Sequence, residues 1–337
     1  MAGTGNNGLT DKVSQRMLKI GPAGWSYADW AGKVYPTRKP QGFDPLEYLS
    51  GYFDTIEINS TFYRMPYAAT VAGWVKKVAA NPHFTFTAKL TQPFTHTRQA
   101  SAQDEVTFKK GMEPLRAADR LGALLLQFPY AFHNTPENRE YLRQLAQRFR
   151  EDALVLEVRH ASWDRPYLYA FLQELGVGFC NIDQPRVSYS LGPTRRATGP
   201  VGYLRLHGRN AVTWFQEDVG RDARYDYLYS DDELNDIAET TKAIAAQAPV
   251  TYLITNNHFR GQAVVNALQL QHKLGYAEVR VPQQLLALHP ELGQLIRGNT
   301  PREGMRESPD PTKPGGTAAQ MELPLMPSSA PGRAEAG

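Results

Sequence analysis

Short apolar runs recur along the chain, and most of them are followed by a loop and then by a segment with helical periodicity. Runs of this length and alternation are typical of β-strands. Eight strands are predicted, at residues 18–24, 55–59, 84–90, 123–127, 154–159, 178–183, 202–207 and 251–256. Helices are predicted between them, for example after the Thr135-Pro136 pair and after Ser230, which forms a capping-box pattern with Glu233.

The alternation of strands and helices indicates parallel strands that are connected by helical crossovers. Eight such units favour closure into a single-domain TIM-type (β/α)8 barrel, which is an α/β fold. An open, doubly wound sheet is the alternative. That fold commonly binds dinucleotides through a G-x-G-x-x-G turn, and no such turn follows any of the predicted strands.

Side chains along each predicted strand alternate between the barrel interior and the surrounding helices. In the second strand, Glu57 and Asn59 lie opposite the apolar Ile56, so the two polar residues are assigned to the interior. The same phase in the sixth strand assigns Asp183 to the interior and Cys180 to the helix layer, as a small buried hydrophobic residue.

Barrel proteins collect their chemistry at the carboxyl ends of the strands, here called the mouth. The polar residues predicted at the mouth are Glu57, Asn59, Lys89, Gln127, Glu157, Arg159, Asp183, Arg205, His207, Asn256 and Asn257. Buried charges in this number are costly unless they are paired or used. They form either an ion-pair network that plugs the barrel or a functional site, and their position at the carboxyl ends favours the site.

Loops that follow the strands add aromatic and cationic residues. Trp25 follows the first strand and Tyr63 follows the second, and such rings serve either as platforms for sugars or bases or as the core of a lid. Arg260 lies where the last helix begins, and the backbone N–H groups there suit a phosphate or carboxylate. A plain N-cap by Asn257 is the simpler alternative at that helix.

Composition restricts the class of protein but identifies no partner. Apolar residues make up 42% of the chain and charged residues 21%, which is ordinary for a globular protein. The net charge of +3 is too small to require nucleic acid or an anionic membrane as a partner. The single cysteine cannot form an internal disulfide. Without an export signal or an apolar run of membrane length, the expected location is the cytoplasm, with no membrane contact.

The two ends of the chain differ from its middle. Residues 1–17 are polar and aperiodic, and residues 298–337 are rich in Pro and Gly. Segments of this composition do not bury enough apolar surface to become ordered. We therefore predict disordered ends and one folded domain over residues 18–297.

Several blocks of the sequence resemble the YecE-like family, also called domain of unknown function 72. The matching blocks include GPAGWSYADWAGKVYP at 21–36, YFDTIEINSTFYRMP at 52–66, FTFTAKL at 84–90 with the following Thr95-His96, LVLEVRHASW at 154–163, YLRLHGR at 203–209 and NNHFRGQAVVNALQL at 256–270. The likeness spans residues 18–274. It implies a TIM barrel and leaves the reaction open, with sugar isomerases and endonuclease-IV-like barrels as loose parallels.

Three kinds of chemistry suit the predicted mouth. Its acidic residues and histidine would chelate a divalent ion, but only one histidine ends a strand, and lysine and arginine lie among the carboxylates. Lys89 would form a Schiff base if burial and neighbouring cations lowered its pKa. The favoured mechanism is acid/base catalysis without metal or cofactor. Its catalytic residues are predicted to be Glu57, Lys89, Glu157 and His207.

The predicted substrate is an anionic or polyhydroxylated small molecule, such as a sugar or sugar phosphate. Its binding is assigned to Trp25, Asn59, Tyr63, Gln127, Arg159, Asp183, Arg205, Asn256, Asn257 and Arg260. Two alternatives stay open. A mouth of this composition would also bind nucleic acid, with or without endonuclease-IV-like phosphodiesterase activity, although the small net charge disfavours a large footprint. The second alternative is a barrel that binds a ligand without catalysis.

Overall fold

The computed structural model describes residues 17–186, 189–211 and 225–296. These residues contain eight strands: β1 (Met17–Pro22), β2 (Thr55–Ile58), β3 (Thr85–Lys89), β4 (Leu121–Gln127), β5 (Leu154–Glu157), β6 (Gly178–Asp183), β7 (Val201–Leu206) and β8 (Val250–Thr255). Neighbouring strands pair in parallel in the order β1-β8-β7-β6-β5-β4-β3-β2. The eight predicted strands are confirmed. The segments predicted to be disordered lie outside the described residues, apart from Met17, which begins β1.

Strand β1 also lies beside β2, which closes the sheet into a barrel. A parallel bridge joins Ala23 to Glu57, and the Gly24 N–H donates to the Glu57 carbonyl oxygen at 2.8 Å. The two backbones approach so closely that a Cβ on Gly21 would lie 1.8 Å from the Thr55 carbonyl oxygen. Only glycine fits at that position. The predicted TIM-type barrel is confirmed, and the open doubly wound sheet is excluded.

Helices connect the strands and surround the barrel. The described α-helices are α1 (Pro45–Ser50), α2 (Ser60–Tyr63), α3 (Ala68–Lys77), α4 (Gln92–Thr95), α5 (Ala102–Ala117), α6 (Pro136–Arg148), α7 (Pro166–Leu175), α8 (Asp231–Ala245), α9 (Gln262–Lys273) and α10 (Gln283–Leu288). Short 3-10 helices lie at Ala28–Trp30, Ala161–Trp163, Phe259–Gly261 and Pro290–Leu295. Among the described helices, none is long and apolar enough to cross a membrane.

The predicted helix starts have the expected caps. The Glu233 N–H donates to Ser230 Oγ at 3.3 Å, and the Ser230 N–H donates back to the Glu233 carboxylate at 2.9 Å, so α8 begins with a capping box. At the start of α6, the Thr135 side chain accepts from the Asn138 N–H, and Pro136 is the first helical residue. Local sequence therefore determines where these two helices begin.

Apolar side chains on the outer face of the strands pack against the helices. Ile56 and Ile58 of β2 and Leu145 of α6 are fully buried. The interior of the barrel instead holds large polar groups, and Gly122 leaves room for one of them. A Cβ on Gly122 would lie 1.9 Å from the Tyr252 hydroxyl oxygen. The apolar core thus surrounds the barrel, and polar side chains line its interior.

The phase predicted for β6 is wrong by one residue. The Cys180 thiol lies 3.9 Å from Glu157 Oε2 inside the barrel, so Cys180 faces the interior and not the helix layer. Asn181 faces the other way, and its amide group binds the backbone of Arg196. Asp183 shares the phase of Asn181 and therefore also leaves the interior. The polar residues of β6 lie on its outer face, where Asn181 and Asp183 bind loop segments, so assigning polar residues to the interior gives the wrong phase.

Candidate active site

Three fully buried charged side chains meet across the barrel interior. Arg205 of β7 donates from Nη1 to Glu157 Oε2 of β5 at 2.5 Å and from Nη2 to Glu57 Oε1 of β2 at 2.7 Å. These strands are not neighbours in the sheet, so the ion pairs span the barrel. The Tyr203 hydroxyl lies 2.9 Å from the second oxygen of Glu57. We call these four residues the inner network.

Glu157 receives two further groups from the mouth. Arg159 Nη2 forms an ion pair with Glu157 Oε1, and His207 Nε2 lies 3.4 Å from the same oxygen. Burial opposes ionisation of Glu157, but the guanidinium groups of Arg159 and Arg205 outweigh it and hold the pKa of this carboxyl well below its usual range. Glu157 is therefore an anion at neutral pH, suited to hold arginines and poorly suited to accept a proton.

His207 is held as a neutral imidazole. Asn256, just after β8, donates from Nδ2 to His207 Nδ1 at 3.0 Å, and Arg159 Nη2 lies 3.2 Å from His207 Nε2. Burial lowers the pKa of His207 to about 3, and the charges of Arg159 and Arg205 contribute to this shift. The ring is therefore uncharged at neutral pH, and Asn256 determines its orientation.

Lys89 is the last residue of β3, and its amine has no hydrogen-bond or ion-pair partner in the described part of the chain. The nearby carboxylates of Glu57 and Glu157 bind Arg205 instead. The Lys89 amine lies 5.8 Å from the centroid of the Phe62 ring. Burial, followed by the charge of Arg205, lowers its pKa to about 8. The side chain is partly exposed, so a ligand in the mouth can reach it.

Among the described residues, positive charge exceeds negative charge at the mouth. The cations are Lys89, Arg159 and Arg205, and the carboxylates are Glu57 and Glu157. The histidine beside them is neutral and does not alter the balance. A surplus of one positive charge in a partly buried site attracts an anion more strongly than the same charge in water.

Two amide side chains complete the mouth. Gln127, at the end of β4, accepts a hydrogen bond from Arg205 Nη1 at 3.3 Å. Asn59 follows β2, and its Oδ1 atom is buried without a hydrogen-bond partner among the described residues. Leaving a buried polar atom unpaired costs free energy. Asn59 is therefore suited to accept a hydrogen bond from a ligand hydroxyl or from water.

Two predicted site residues bind other parts of the protein. Asp183 accepts from Arg209 Nη2 and from the Tyr229 hydroxyl, each at 2.7 Å. Asp183 points out of the barrel interior and anchors the segment that follows β7. Asn257 is fully buried and donates to Asn266 Oδ1 at 2.8 Å. The protein thus occupies Asp183 and the amide N–H groups of Asn257, whereas Asn257 Oδ1 is buried without a hydrogen-bond partner among the described residues. The assignment of both residues to the ligand stays a prediction.

Three further predicted binding residues lie on the loops. Trp25 packs edge-on against Trp74, with 5.4 Å between ring centroids, whereas Tyr63 is 58% exposed. The Arg260 backbone N–H donates to Asp29 Oδ2 at 2.6 Å. A carboxylate of the chain itself therefore binds at the turn where an external anion was predicted. An external anion would compete with Asp29, and the anion site there stays a prediction.

His96 lies beside the mouth, but the strand pattern does not reveal it because it follows the short helix α4. Its Nδ1 lies 3.0 Å from Thr95 Oγ1, and its ring centroid lies 4.8 Å from that of Phe62. Burial lowers its pKa, and the charges of Lys89 and Arg159 lower it further, which indicates that His96 lies close to both cations. The Thr95-His96 pair in the family-like blocks is the sequence signal that marks it.

The residues considered as metal ligands do not form a metal-binding group in the described part of the chain. In residues 17–186, 189–211 and 225–296, no three His, Cys, Asp or Glu side chains lie together in a way that could hold a metal ion. The Asp183 side chain points away from the barrel interior, and Glu57 and Glu157 are bound to Arg205. The donor set therefore fits charge pairing better than chelation.

Comparison with known proteins agrees with the barrel. The profile of the family described as "Protein of unknown function DUF72" matches residues 19–290. UPF0759 protein YunF of Bacillus subtilis (strain 168) is 29% identical over 269 residues, which cover 75% of this chain and 93% of that protein.

Two solved structures are similar over most of their length. A DUF72 family protein from Thermotoga maritima MSB8 is 33% identical with a TM-score of 0.66, and the match covers 76% of this chain and 98% of that one. A DUF72 family protein from Enterococcus faecalis V583 is 26% identical with a TM-score of 0.68, and the match covers 79% and 99%. The family profile spans most of the chain and the solved relatives share its fold, so this chain belongs to the DUF72 family.

Proposed function

We propose that this protein is an enzyme that performs acid/base chemistry on a small anionic, polyhydroxylated molecule, such as a sugar phosphate, at the mouth of the barrel. The observation that carries the proposal is the environment of Lys89. This lysine ends a barrel strand, its amine has no polar partner in the described ranges, and the neighbouring carboxylates are taken by Arg205. An anionic ligand would supply the missing partner.

The proposal assigns proton transfer to Lys89. A group exchanges protons most effectively when its pKa lies near the working pH, and the pKa of Lys89 is about 8. Glu157 and His207, the acid/base pair favoured by the sequence, are held in single protonation states at neutral pH. In the proposed site Glu157 holds the arginine side chains, the neutral His207 donates from Nε2 to Glu157, and Lys89 transfers the proton.

Substrate binding is assigned to groups on the solvent side of the inner network. Arg159 is 16% exposed, and together with Lys89 it would hold the anionic group of the substrate. The buried Oδ1 of Asn59 and the amide of Gln127 would hydrogen-bond substrate hydroxyls. Asn256 acts through His207 and is a positioning residue.

A purely structural plug explains the inner network but not the whole mouth. Arg205 with Glu57 and Glu157 is already a buried set of opposite charges. A further, partly desolvated amine with no acceptor among the described residues adds a cost and no compensating pair. Lys89 is therefore the residue that separates the functional interpretation from the structural one.

A thermal-shift screen of sugar phosphates, sugar acids and the corresponding neutral sugars tests the proposal. We expect at least one anionic compound to stabilise the protein, and the neutral sugars to have a much smaller effect. The Lys89→Met variant should lose the stabilisation. Lys19→Met is the matched control, because Lys19 is an interior lysine far from the mouth that already has protein acceptors.

Two further results bear on the site assignment. Lys89→Arg keeps the positive charge and should keep binding, but it should lose turnover because arginine does not release its proton at neutral pH. A compound that stabilises the native protein and the Lys89→Met variant equally would show that the ligand binds elsewhere.

A further inference from the structure

Four rings from three loops form a cluster beside the mouth, here called the rim cluster: Tyr130, His133, His160 and Tyr189. His133 and His160 stack with 4.0 Å between centroids, and Tyr130 meets His160 edge-on at 5.1 Å. Tyr130 and Tyr189 are 45% and 76% exposed. None of the four belongs to the buried apolar core, so core packing does not account for them.

His160 is held in one orientation by the turn that follows β5. The Ser162 N–H donates to His160 Nδ1 at 3.1 Å, and Ser162 Oγ lies 2.8 Å from the same nitrogen. Asn134, in the loop after β4, fixes Ser162 through two hydrogen bonds of 3.0 Å. Burial and the neighbouring His133 lower the pKa of His160. The ring is therefore an uncharged, preorganised stacking surface.

Tyr189 presents a second, nearly parallel ring. The planes of Tyr189 and His160 are 15° apart, and their centroids are separated by 6.4 Å. The backbone of Tyr189 is left-handed, with φ of 61°, which is uncommon for a residue other than glycine. Its carbonyl oxygen accepts from the Ala161 N–H at 2.8 Å. Strain of this kind is concentrated at ligand sites, and here it accompanies a ring that protrudes into solvent.

The separation of His160 and Tyr189 indicates what fits between them. Their 6.4 Å spacing exceeds the 4.0 Å between His133 and His160. Stacked flat rings lie about 3.4 Å apart, as in a nucleic-acid strand, so a flat ring between two others needs about 6.8 Å. The centroid distance is the upper limit of the distance between the two ring planes, so the exposed Tyr189 side chain has to move outward to admit the ring. A puckered sugar ring is thicker and fits this space less well.

The rim cluster adjoins the mouth along the chain, because Arg159 and His160 are consecutive residues after β5. We infer that the substrate carries a flat heteroaromatic ring that stacks between His160 and Tyr189, while its anionic group lies against Arg159 and Lys89. A nucleotide combines these two parts. This inference rests on the proposed function, since it takes the mouth as the anion site.

Calorimetry on the full-length protein tests the stacking site. The probes are the common ribonucleoside 5′-monophosphates and ribose 5-phosphate, which keeps the sugar and the anion but lacks the base. We expect at least one mononucleotide to bind about tenfold or more tightly than ribose 5-phosphate, since stacking on aromatic side chains strengthens the binding of a base.

Variants of exposed residues isolate the contribution of the ring. Tyr189→Leu should remove most of the advantage of the mononucleotide, and Tyr189→Phe should retain it. Tyr67→Leu is the matched control, because Tyr67 is 78% exposed and lies outside the rim cluster. All three substitutions lie on the surface, so the variants are expected to fold.

The possible results separate the two proposals. Equal affinity for ribose 5-phosphate and every mononucleotide, or an advantage that survives in Tyr189→Leu, would overturn the stacking site and leave the anion site intact. If neither these probes nor other sugar phosphates bind, the proposed function fails as well. A short single-stranded oligonucleotide is the last probe. If only the oligonucleotide binds, and its binding is lost in Tyr189→Leu, the nucleotide that the site recognises belongs to a nucleic acid.

Discussion

The barrel interior contains a lysine near each end, and the two differ in what surrounds the amine. Near the amino ends of the strands, Lys19 donates from Nζ to the His83 carbonyl oxygen at 2.6 Å and to Thr85 Oγ1 at 3.0 Å. At the carboxyl ends, Lys89 has no such acceptor in the described part of the chain. Burial lowers the pKa of both amines, so desolvation alone does not distinguish them.

The difference lies in whether the protein completes the hydrogen bonding of the cation. Lys19 joins β1 to β3, and its acceptors belong to the fold. Lys89 also carries a desolvation penalty, but no described residue accepts a hydrogen bond from its amine. A fold selected only for stability has no reason to retain such a group. The amino end of the interior is therefore interpreted as structural, and the carboxyl end as a site whose last partner is a ligand.

The largest expected effect is on stability and concerns the inner network. Arg205→Met leaves Glu57 and Glu157 buried without their shared guanidinium, so we expect a loss of about 3–5 kcal/mol in the free energy of unfolding. Lys19→Met removes only hydrogen bonds to neutral acceptors and should cost about 1–3 kcal/mol. Urea denaturation measures both.

A double variant checks the cause of that loss. Adding Glu57→Gln to Arg205→Met removes one uncompensated charge and should restore part of the stability. If Arg205→Met costs no more than Lys19→Met, the inner network does not hold the barrel together in the way described.

Lys89→Met should reduce ligand affinity and not stability, whereas Lys19→Met should reduce stability and not affinity. The Lys89 substitution removes a partly desolvated amine for which the described residues provide no acceptor, so the free energy of unfolding should stay the same or rise. Affinity for the anionic ligand should fall by about 1.5–3 kcal/mol, or roughly tenfold to a hundredfold, because a charge-assisted hydrogen bond is lost. Lys19→Met should keep the native affinity. Equal losses of affinity in the two variants would contradict the assignment of the ligand site to the carboxyl end of the barrel.

Acid should destabilise the carboxyl end through His207. Its pKa is about 3 in the folded protein and 6.5 in the unfolded chain, so the unfolded state binds more protons below pH 6.5 and stability falls as the pH falls. This group alone accounts for about 2 kcal/mol at pH 5. Unfolding curves at pH 5, 6 and 7 measure the effect. His207→Gln should flatten the profile, and an unchanged slope would assign the acid sensitivity to other groups.

The smallest expected effect concerns ligand affinity above pH 8. The pKa of Lys89 is about 8, so an anionic ligand should bind about tenfold more weakly at pH 9 than at pH 7. Lys89→Arg should abolish this dependence. The unfolded chain, with a pKa of 10.5 for this group, binds more protons between pH 8 and 10.5. Lys89 therefore makes the protein more stable as the pH rises there, and a parallel loss of stability and binding would contradict the assignment.

The sequence alone predicts most of the ionisable residues at the mouth. Glu57, Lys89, Glu157, Arg205 and His207 each lie within one residue of the carboxyl end of a strand, and simple alternation assigns all of them to the interior. This works because their strands have apolar residues on the outer face, which makes the phase visible.

Other site features escape local patterns. In β6 the polar side chains lie on the outer face and bind loop segments, so the sequence assigns Cys180 and Asp183 to the wrong sides. His96 follows a short helix and has no strand periodicity to mark it. The rim cluster combines His133, His160 and Tyr189 from three loops, and loop residues carry no period from which their neighbours can be predicted.

The sequence by itself determined the barrel, the position of its mouth and the types of charge that gather there, because these follow from short-range periodicity and strand polarity. Only the tertiary structure decided how the charges pair. Arg205 takes both carboxylates, and Lys89 is left without an acceptor in the described ranges. That outcome depends on distances across the barrel between residues far apart in the chain, and local patterning does not encode those distances.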